Sequence, residues 1–315
     1  HLTNSKNMKI STSQYFTTMN NLMSEQHAKI SKLQAQLSVG KKNVTPSTDV
    51  KATTASLKLS EVISGQRDDI ANLQSVNAGY KEEEATMMAM TDMIMRMQDI
   101  SISAASDTYT STDLTIFAVE VESYMDDIRG LANSKDSNGH FMFSGTKATT
   151  MPFTKQADGT VIYNGNQTEP KLELDTGYKL PLSISGNKLS GVIERKNALG
   201  VVTSRVDMFK VMQDFVTGLK ADDRTAVGAA IDELRSVQHN LGINLVDNGL
   251  RQNLVNQREE IAESKIIIYK GLLSDAQDVD YATAITQLSS DMLALEAAQS
   301  TFAKVSQLSL FSFLR

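Results

Sequence analysis

The sequence predicts a mainly α-helical protein: an elongated antiparallel helical rod, its N- and C-terminal segments paired lengthwise, with a small β-rich domain inserted at the tip. Three observations carry this. Apolar residues recur in alternating steps of four and three towards both ends of the chain, the spacing of one helix face. Only 6% of the 315 residues are aromatic and Trp is absent, which suits long helices packed through aliphatic side chains. Gly and Pro crowd the middle, where residues 139–200 hold eight of the 17 Gly and three of the four Pro.

Residues 1–7 precede the first Met and show no pattern; they are read as a remnant of expression or a misassigned start and left out of the fold. The first helix follows Met19, Met23, Gln26, Ile30, Leu33 and Leu37, and stops at Gly40, with Lys41 and Lys42 beside its negative end. Turn formers fill residues 43–49. A long second helix runs through Leu59, Ile63, Gln66, Ile70, Leu73, Asn77, Tyr80, Glu84, Met87, Thr91 and Ile94. Polar residues recur in that seam, a cost in stability that can fix register. Leu114, Phe117, Val121, Met125, Ile128 and Ala132 mark a third helix.

Short β-leaning runs then appear at 161–163, 171–174 and 178–184, between the turn signals Asp158-Gly159, Asn164-Gly165 and Gly186-Asn187. Helix returns at Phe209, Met212, Val216 and Leu219. The longest repeat follows, from Val227 through Leu241, Asn248 and Val255 to Leu273, roughly 70 Å if unbroken at 1.5 Å per residue. The last stripe is Tyr281, Ile285, Leu288, Met292 and Leu295, continuing through Ala298, Phe302 and Val305 to Leu308. Only Asp291, Glu296 and Lys304 are charged between Tyr281 and Leu314, and apolar side chains also lie off the stripe, at Leu293, Leu310, Phe311 and Phe313. A helix with one solvated face does not look like this; one that touches several neighbours does. The expected division is terminal assembly arms at 8–45 and 278–315, a helical rod at 46–138 and 206–277, and a β insertion at 139–205.

Chemistry is sparse. The net charge of −6 argues against binding nucleic acid through its phosphates, although seven Lys against Glu25 and Asp49 make residues 8–60 locally basic. With no Cys there is no disulfide, thiolate metal site or thiol nucleophile. No apolar run approaches the roughly 20 residues that span a bilayer, and no secretory h-region follows Met8. His27, His140 and His239 are scattered without partner spacing. Glu82, Glu83 and Glu84 point in different directions on a helix and make no acid/base pair. Asp278-Val279-Asp280 reads as a helix N-terminus, and the Met cluster from Met87 to Met97 as core packing. No phosphate loop, HExxH or GxSxG motif occurs. The expectation is a non-enzyme with no cofactor and no metal.

Several segments resemble the flagellin superfamily, in particular its hook-filament junction branch. They are Met8-Lys9-Ile10-Ser11-Thr12 with Tyr15-Phe16; Leu37-Ser38-Val39-Gly40-Lys41-Lys42; Gly139-His140-Phe141-Met142-Phe143-Ser144-Gly145; Asp280-Tyr281-Ala282-Thr283-Ala284-Ile285; and Thr301-Phe302-Ala303-Lys304-Val305 with Leu308-Ser309-Leu310-Phe311. The likeness covers both arms fully and the centre loosely. Flagellins usually carry a paired-aspartate, small-residue motif after the first turn; here Pro46-Ser47-Thr48-Asp49-Val50 stands instead, and the ending Phe311-Ser312-Phe313-Leu314 also departs from the flagellin tail.

The resemblance implies an extracellular component of the bacterial flagellum, exported without a cleaved signal peptide. Its implied partners are the hook-side junction protein (hook-associated protein 1), flagellin, further copies of itself in a ring and an export chaperone. Helical polymer packing through both arms would be the mechanism. The expected assembly residues are Tyr15, Phe16, Met19, Met23, Ile30, Leu33 and Leu37 on the first arm. On the second they are Tyr281, Ile285, Leu288, Met292, Leu295, Phe302, Val305, Leu308, Leu310, Phe311 and Phe313. A flagellin filament subunit and an unrelated secreted coiled-coil adaptor are the alternatives.

Overall fold

The structure, a computed structural model, describes residues 4–42, 50–174, 177–197 and 199–313, with side chains between Gln14 and Ser306. Its helices are α1 (Asn4–Val39), α2 (Val50–Ala104), α3 (Ser111–Ala132), α4 (Gly186–Ser190), α5 (Met208–Lys220), α6 (Arg224–Gln277) and α7 (Tyr281–Phe313). Between α3 and α5 lie six short strands: β1 (Phe153–Lys155), β2 (Val161–Tyr163), β3 (Lys171–Glu173), β4 (Lys179–Pro181), β5 (Ile193–Lys196) and β6 (Val202–Val206). The mainly helical class with a small β insertion is the one the sequence indicates. The repeat from Val227 to Leu273 forms one helix, and the turn formers at 43–49 lie outside the described residues. No helix among the described residues is long and apolar enough to cross a membrane. The chain divides into two compact units, Gly65–Ser264 and His1–Ser64 with Lys265–Arg315.

The central unit, Gly65–Ser264, holds the main core. Leu114, Val121 and Ile128 of α3 join Phe209, Met212 and Phe215 of α5, Met87, Ile94 and Met97 of α2, and Leu234 and Leu241 of α6 in one buried cluster. Fully burying each such side chain contributes about 1.5–3 kcal/mol. Helix starts are set by local chemistry. Thr110 accepts the Asp113 amide while Asp113 accepts the Thr110 amide, a capping box at the head of α3. Asp207 caps α5 by accepting the Lys210 amide at 2.8 Å.

The strands pair as three separate antiparallel hairpins, β1–β2, β3–β4 and β5–β6. Asp158-Gly159 makes the first turn as expected, with Gly159 at φ 86° and the Asp158 carboxylate accepting the Thr160 amide at 2.9 Å. Two readings need correction. Gly186-Asn187 is not a hairpin turn: Ser185 caps a short helix there, α4, by accepting the Lys188 amide. Gly186 is needed because a Cβ would lie 2.2 Å from the Tyr163 ring. The run 178–184 is strand only over Lys179–Pro181, because the Ile184 amide is taken by a side chain, Glu83, instead of a neighbouring strand.

Glu83 fastens the insertion to the helices. It is 2% exposed. Its Oε1 accepts the Ile184 amide at 2.8 Å and its Oε2 accepts Asn248 Nδ2 of α6 at 2.9 Å. Beside it, the Tyr80 hydroxyl donates to the Pro181 carbonyl, and burial pushes that phenol up to about 12. The buried line of α2 therefore runs through Leu73, Val76, Tyr80, Glu83, Met87, Met90, Ile94 and Met97. The expected seam positions Asn77, Glu84 and Thr91 are one step off it and half-buried. In α3, Ala118 replaces Phe117 on the buried face for the same reason.

Candidate assembly surface

The terminal arms meet in the other unit, where α1 packs along α7. Gly40 ends α1 with φ 74°, and a Cβ there would lie 2.8 Å from the Tyr281 hydroxyl, so only glycine suits the turn. A short antiparallel bridge follows: the Lys42 amide donates to the Gln277 carbonyl at 2.7 Å and the Val279 amide to the Gly40 carbonyl at 3.0 Å. Lys42 Nζ, expected beside the end of α1, instead donates to the Asp275 carbonyl at the end of α6, 2.7 Å away. Asp280 caps α7, its carboxylate accepting the Ala282 amide at 3.0 Å and the Thr283 hydroxyl at 2.7 Å. Those bonds hold its carboxyl below the usual range, the Thr283 side chain first.

At the far end the Phe16 and Phe302 rings meet edge-on at 5.3 Å. Between these fixed points the burial of the two helices alternates in matching layers. On α1 the inward line is Phe16, Met19, Met23, Gln26, Ile30, Leu33 and Leu37, with Ile30 buried and the rest half-buried. On α7 it is Ala284, Leu288, Asp291, Leu295, Ala298, Phe302 and Val305. Steps of four and three on both helices keep the two lines facing each other along the pair.

The expected α7 residues thus separate into two sets. Leu288, Leu295, Phe302 and Val305 face α1. Tyr281, Ile285 and Met292 do not: each is 52% exposed. A quarter turn divides the two lines, and a single partner helix covers only one of them. Leu293 is 69% exposed. On α1, Tyr15 is half-buried and packs its ring against Phe16 at 5.8 Å. Leu308, Leu310, Phe311 and Phe313 belong to the last turns of α7, whose side chains lie outside those described. Sequence reasoning counted Asp291 only as one of three charges and missed its inward position; its place three residues after Leu288 and four before Leu295 was the available signal.

Tyr281, Ile285 and Met292 thus form an exposed, largely apolar line on α7. Among the described residues no three His, Asp or Glu side chains converge on a metal position. Residues 10–148 match the family model of the bacterial flagellin N-terminal helical region. The chain is 24% identical over 289 residues to the flagellar hook-associated protein 3 of Escherichia coli K12, a match covering 88% of this chain and 90% of that protein. It is 23% identical over 321 residues to the Salmonella typhimurium flagellar hook-associated protein 3, covering 98% of this chain and 100% of that one. The crystal structure of flagellar hook-associated protein 3 from Legionella pneumophila shares the fold, with a TM-score of 0.61, 16% identity, and coverage of 69% of this chain and 97% of that one.

Proposed function

We propose that this chain is a structural, non-enzymatic protein of the bacterial flagellum that forms the junction between hook and filament. Its arms carry the assembly. The observation that supports this most directly is the second apolar line on α7, Tyr281, Ile285 and Met292, which α1 leaves half exposed. Covering it with a neighbouring subunit contributes about 25 cal/mol per Å² of apolar surface removed from water. The hook-side junction protein, flagellin and further copies of the chain in a ring are the partners, and an export chaperone covers the same line before assembly. Export proceeds without signal cleavage. Leu308, Leu310, Phe311 and Phe313, in the last turns of α7, are assigned the same assembly role.

Deleting Val305–Arg315 tests the role of the arm. The truncated chain is expected to keep its helical circular dichroism yet fail to hold filaments on hooks when it replaces the full chain in cells. Filaments attached at the normal frequency would reject the assembly role of α7. Cells that lack the whole chain are expected to keep hooks and to shed flagellin as monomer into the medium.

A further inference from the structure

Within the central unit, the outer side of the α2–α6 pair leaves large apolar side chains exposed. On α2 the exposed residues Met88, Asp92, Met95, Asp99 and Ile102 recur in steps of four and three, one face of the helix. On α6 the exposed residues His239, Ile243, Val246 and Leu250 do the same. The six apolar members of these lines are 46–66% exposed. Between the lines runs a groove of about 660 Å³, lined by Thr91 of α2 and, from α6, Gln238, Gly242, Ile243 and Val246. Gln98 Nε2 donates to Gln238 Oε1 at 3.0 Å and Gln252 Nε2 to Glu84 Oε2 at 2.8 Å, which ties the helices together one heptad to either side of Thr91. At about 100° per residue, Met88 and Met95 lie within about 60° of Thr91, on the side away from Met90 and Ile94, and so border the groove.

The β5–β6 hairpin packs on the back of the same stretch of α6. Arg195 Nε of β5 donates to Glu233 Oε1 at 2.8 Å. Gly191, two residues before β5, lies so close to α6 that a Cβ would stand 2.6 Å from Asn240 Nδ2. Glu233 and Asn240 are about 180° and 160° round the helix from Gly242. Hairpin and groove therefore occupy opposite faces of α6 at one height. From Arg195 to Val206 the hairpin carries three cations and no Asp or Glu. Arg195 and Arg205 are held by Glu233 and Glu194. Lys196 is exposed, and among the described residues it forms no ion pair. Leu199, near the tip, is 87% exposed.

We propose that the β5–β6 hairpin of one copy docks in the α2–α6 groove of the next, with Leu199 in the groove and Lys196 against Asp92. The proposal rests on the assembly role above. Charge selects the occupant. The α2 line carries Asp92 and Asp99, which suit a basic hairpin. The exposed Ile116 and Val119 of α3 are bordered instead by Glu120 and Asp127, which those carboxylates would repel. Because different surfaces meet, the contact is heterologous. Repeating it between opposite faces at one height leads sideways around a ring, with little shift along α6.

The absence of Cys makes the test direct. The full chain carrying both Leu199→Cys and Val246→Cys replaces the parent chain in cells, and isolated flagella are oxidised. A helix about 10 Å thick separates the two positions, so no disulfide closes within one copy. A ladder of linked dimers, trimers and larger species is expected, and neither single variant should give it. No ladder from flagella that contain the chain overturns the contact. Asp92→Lys and Lys196→Asp, each added to the double variant, should lower the linked fraction about fivefold. Both together should regain more than half of it, and a yield that neither charge moves overturns the pairing. Val246→Asp, at an exposed position, should keep the helical circular dichroism and lower the fraction of hooks bearing filaments about tenfold. Filaments at the parental frequency in that variant overturn the role of the groove. Lost filaments without a ladder would assign the groove to another protein, which overturns the proposal as well. If cells lacking the chain altogether keep their filaments, the junction role itself is what fails.

Discussion

Glu83 shows how one residue can set the pH response of the central unit. Burial raises its carboxyl above the ordinary glutamate range, against the opposing hydrogen bonds from Ile184 and Asn248. A group raised in the folded state contributes stability that is fully present below its unfolded value and is lost as pH rises through its folded value. The unit should therefore lose stability at this site as pH climbs above the ordinary glutamate range. In Glu83→Gln that dependence disappears, because nothing ionises; denaturant unfolding at pH 5 and pH 8 reads it as a smaller difference between the two. Glu83→Ala has another consequence, leaving the Ile184 amide and Asn248 Nδ2 without this acceptor. It should cost about 3 kcal/mol at either pH. A glutamine variant with the full parental pH difference would place that dependence elsewhere.

At the scale of the element, the glycines of α6 and α1 behave oppositely. Gly242 and Gly249 lie inside α6, where an added Cβ meets nothing within 4 Å. Alanine at either position should raise stability by about 0.5–1 kcal/mol, through the smaller entropy loss on folding. Gly40→Ala should lower it, since φ is 74° and the Tyr281 hydroxyl occupies the space. Thermal melts of the three single variants check both signs. The extent and order of the helices were legible because periodicity, caps and breakers agree along the sequence. Which line of each helix becomes buried was less so. In α2 the pairs Asn77/Val76, Glu84/Glu83 and Thr91/Met90 satisfy the same spacing one step apart, and the choice between them is made by what packs opposite. In α7 apolar residues occupy two adjacent lines, so the pattern alone could not tell which one faces α1. The first hairpin was visible through Asp158-Gly159, whereas β5–β6 lies outside the β-leaning runs at 161–163, 171–174 and 178–184. Gly186 carried a turn-like signal for another reason, the closeness of the Tyr163 ring.

For the whole molecule, burial is divided unequally. The largest fully enclosed side chains, among them Tyr80, Phe143, Phe153, Phe209 and Phe215, all lie within Gly65–Ser264. Among the described residues of the other unit the buried apolar ones are fewer and smaller, Ile30, Ile63, Ile266, Ala284 and Leu295, each 5–8% exposed. Local opening free energy follows buried apolar contact, so α1 and α7 should open more often than the central unit does. Brief digestion of the isolated chain with a protease of broad specificity should cut α1 and α7 first and leave a fragment containing Gly65–Ser264, identified by intact mass. In assembled flagella the same sites should be protected, because neighbouring copies cover the second line of α7 and lower the population of the open state. First cleavage inside Gly65–Ser264, or equal cutting of α1 and α7 before and after assembly, would show that these helices are not where assembly energy is gained.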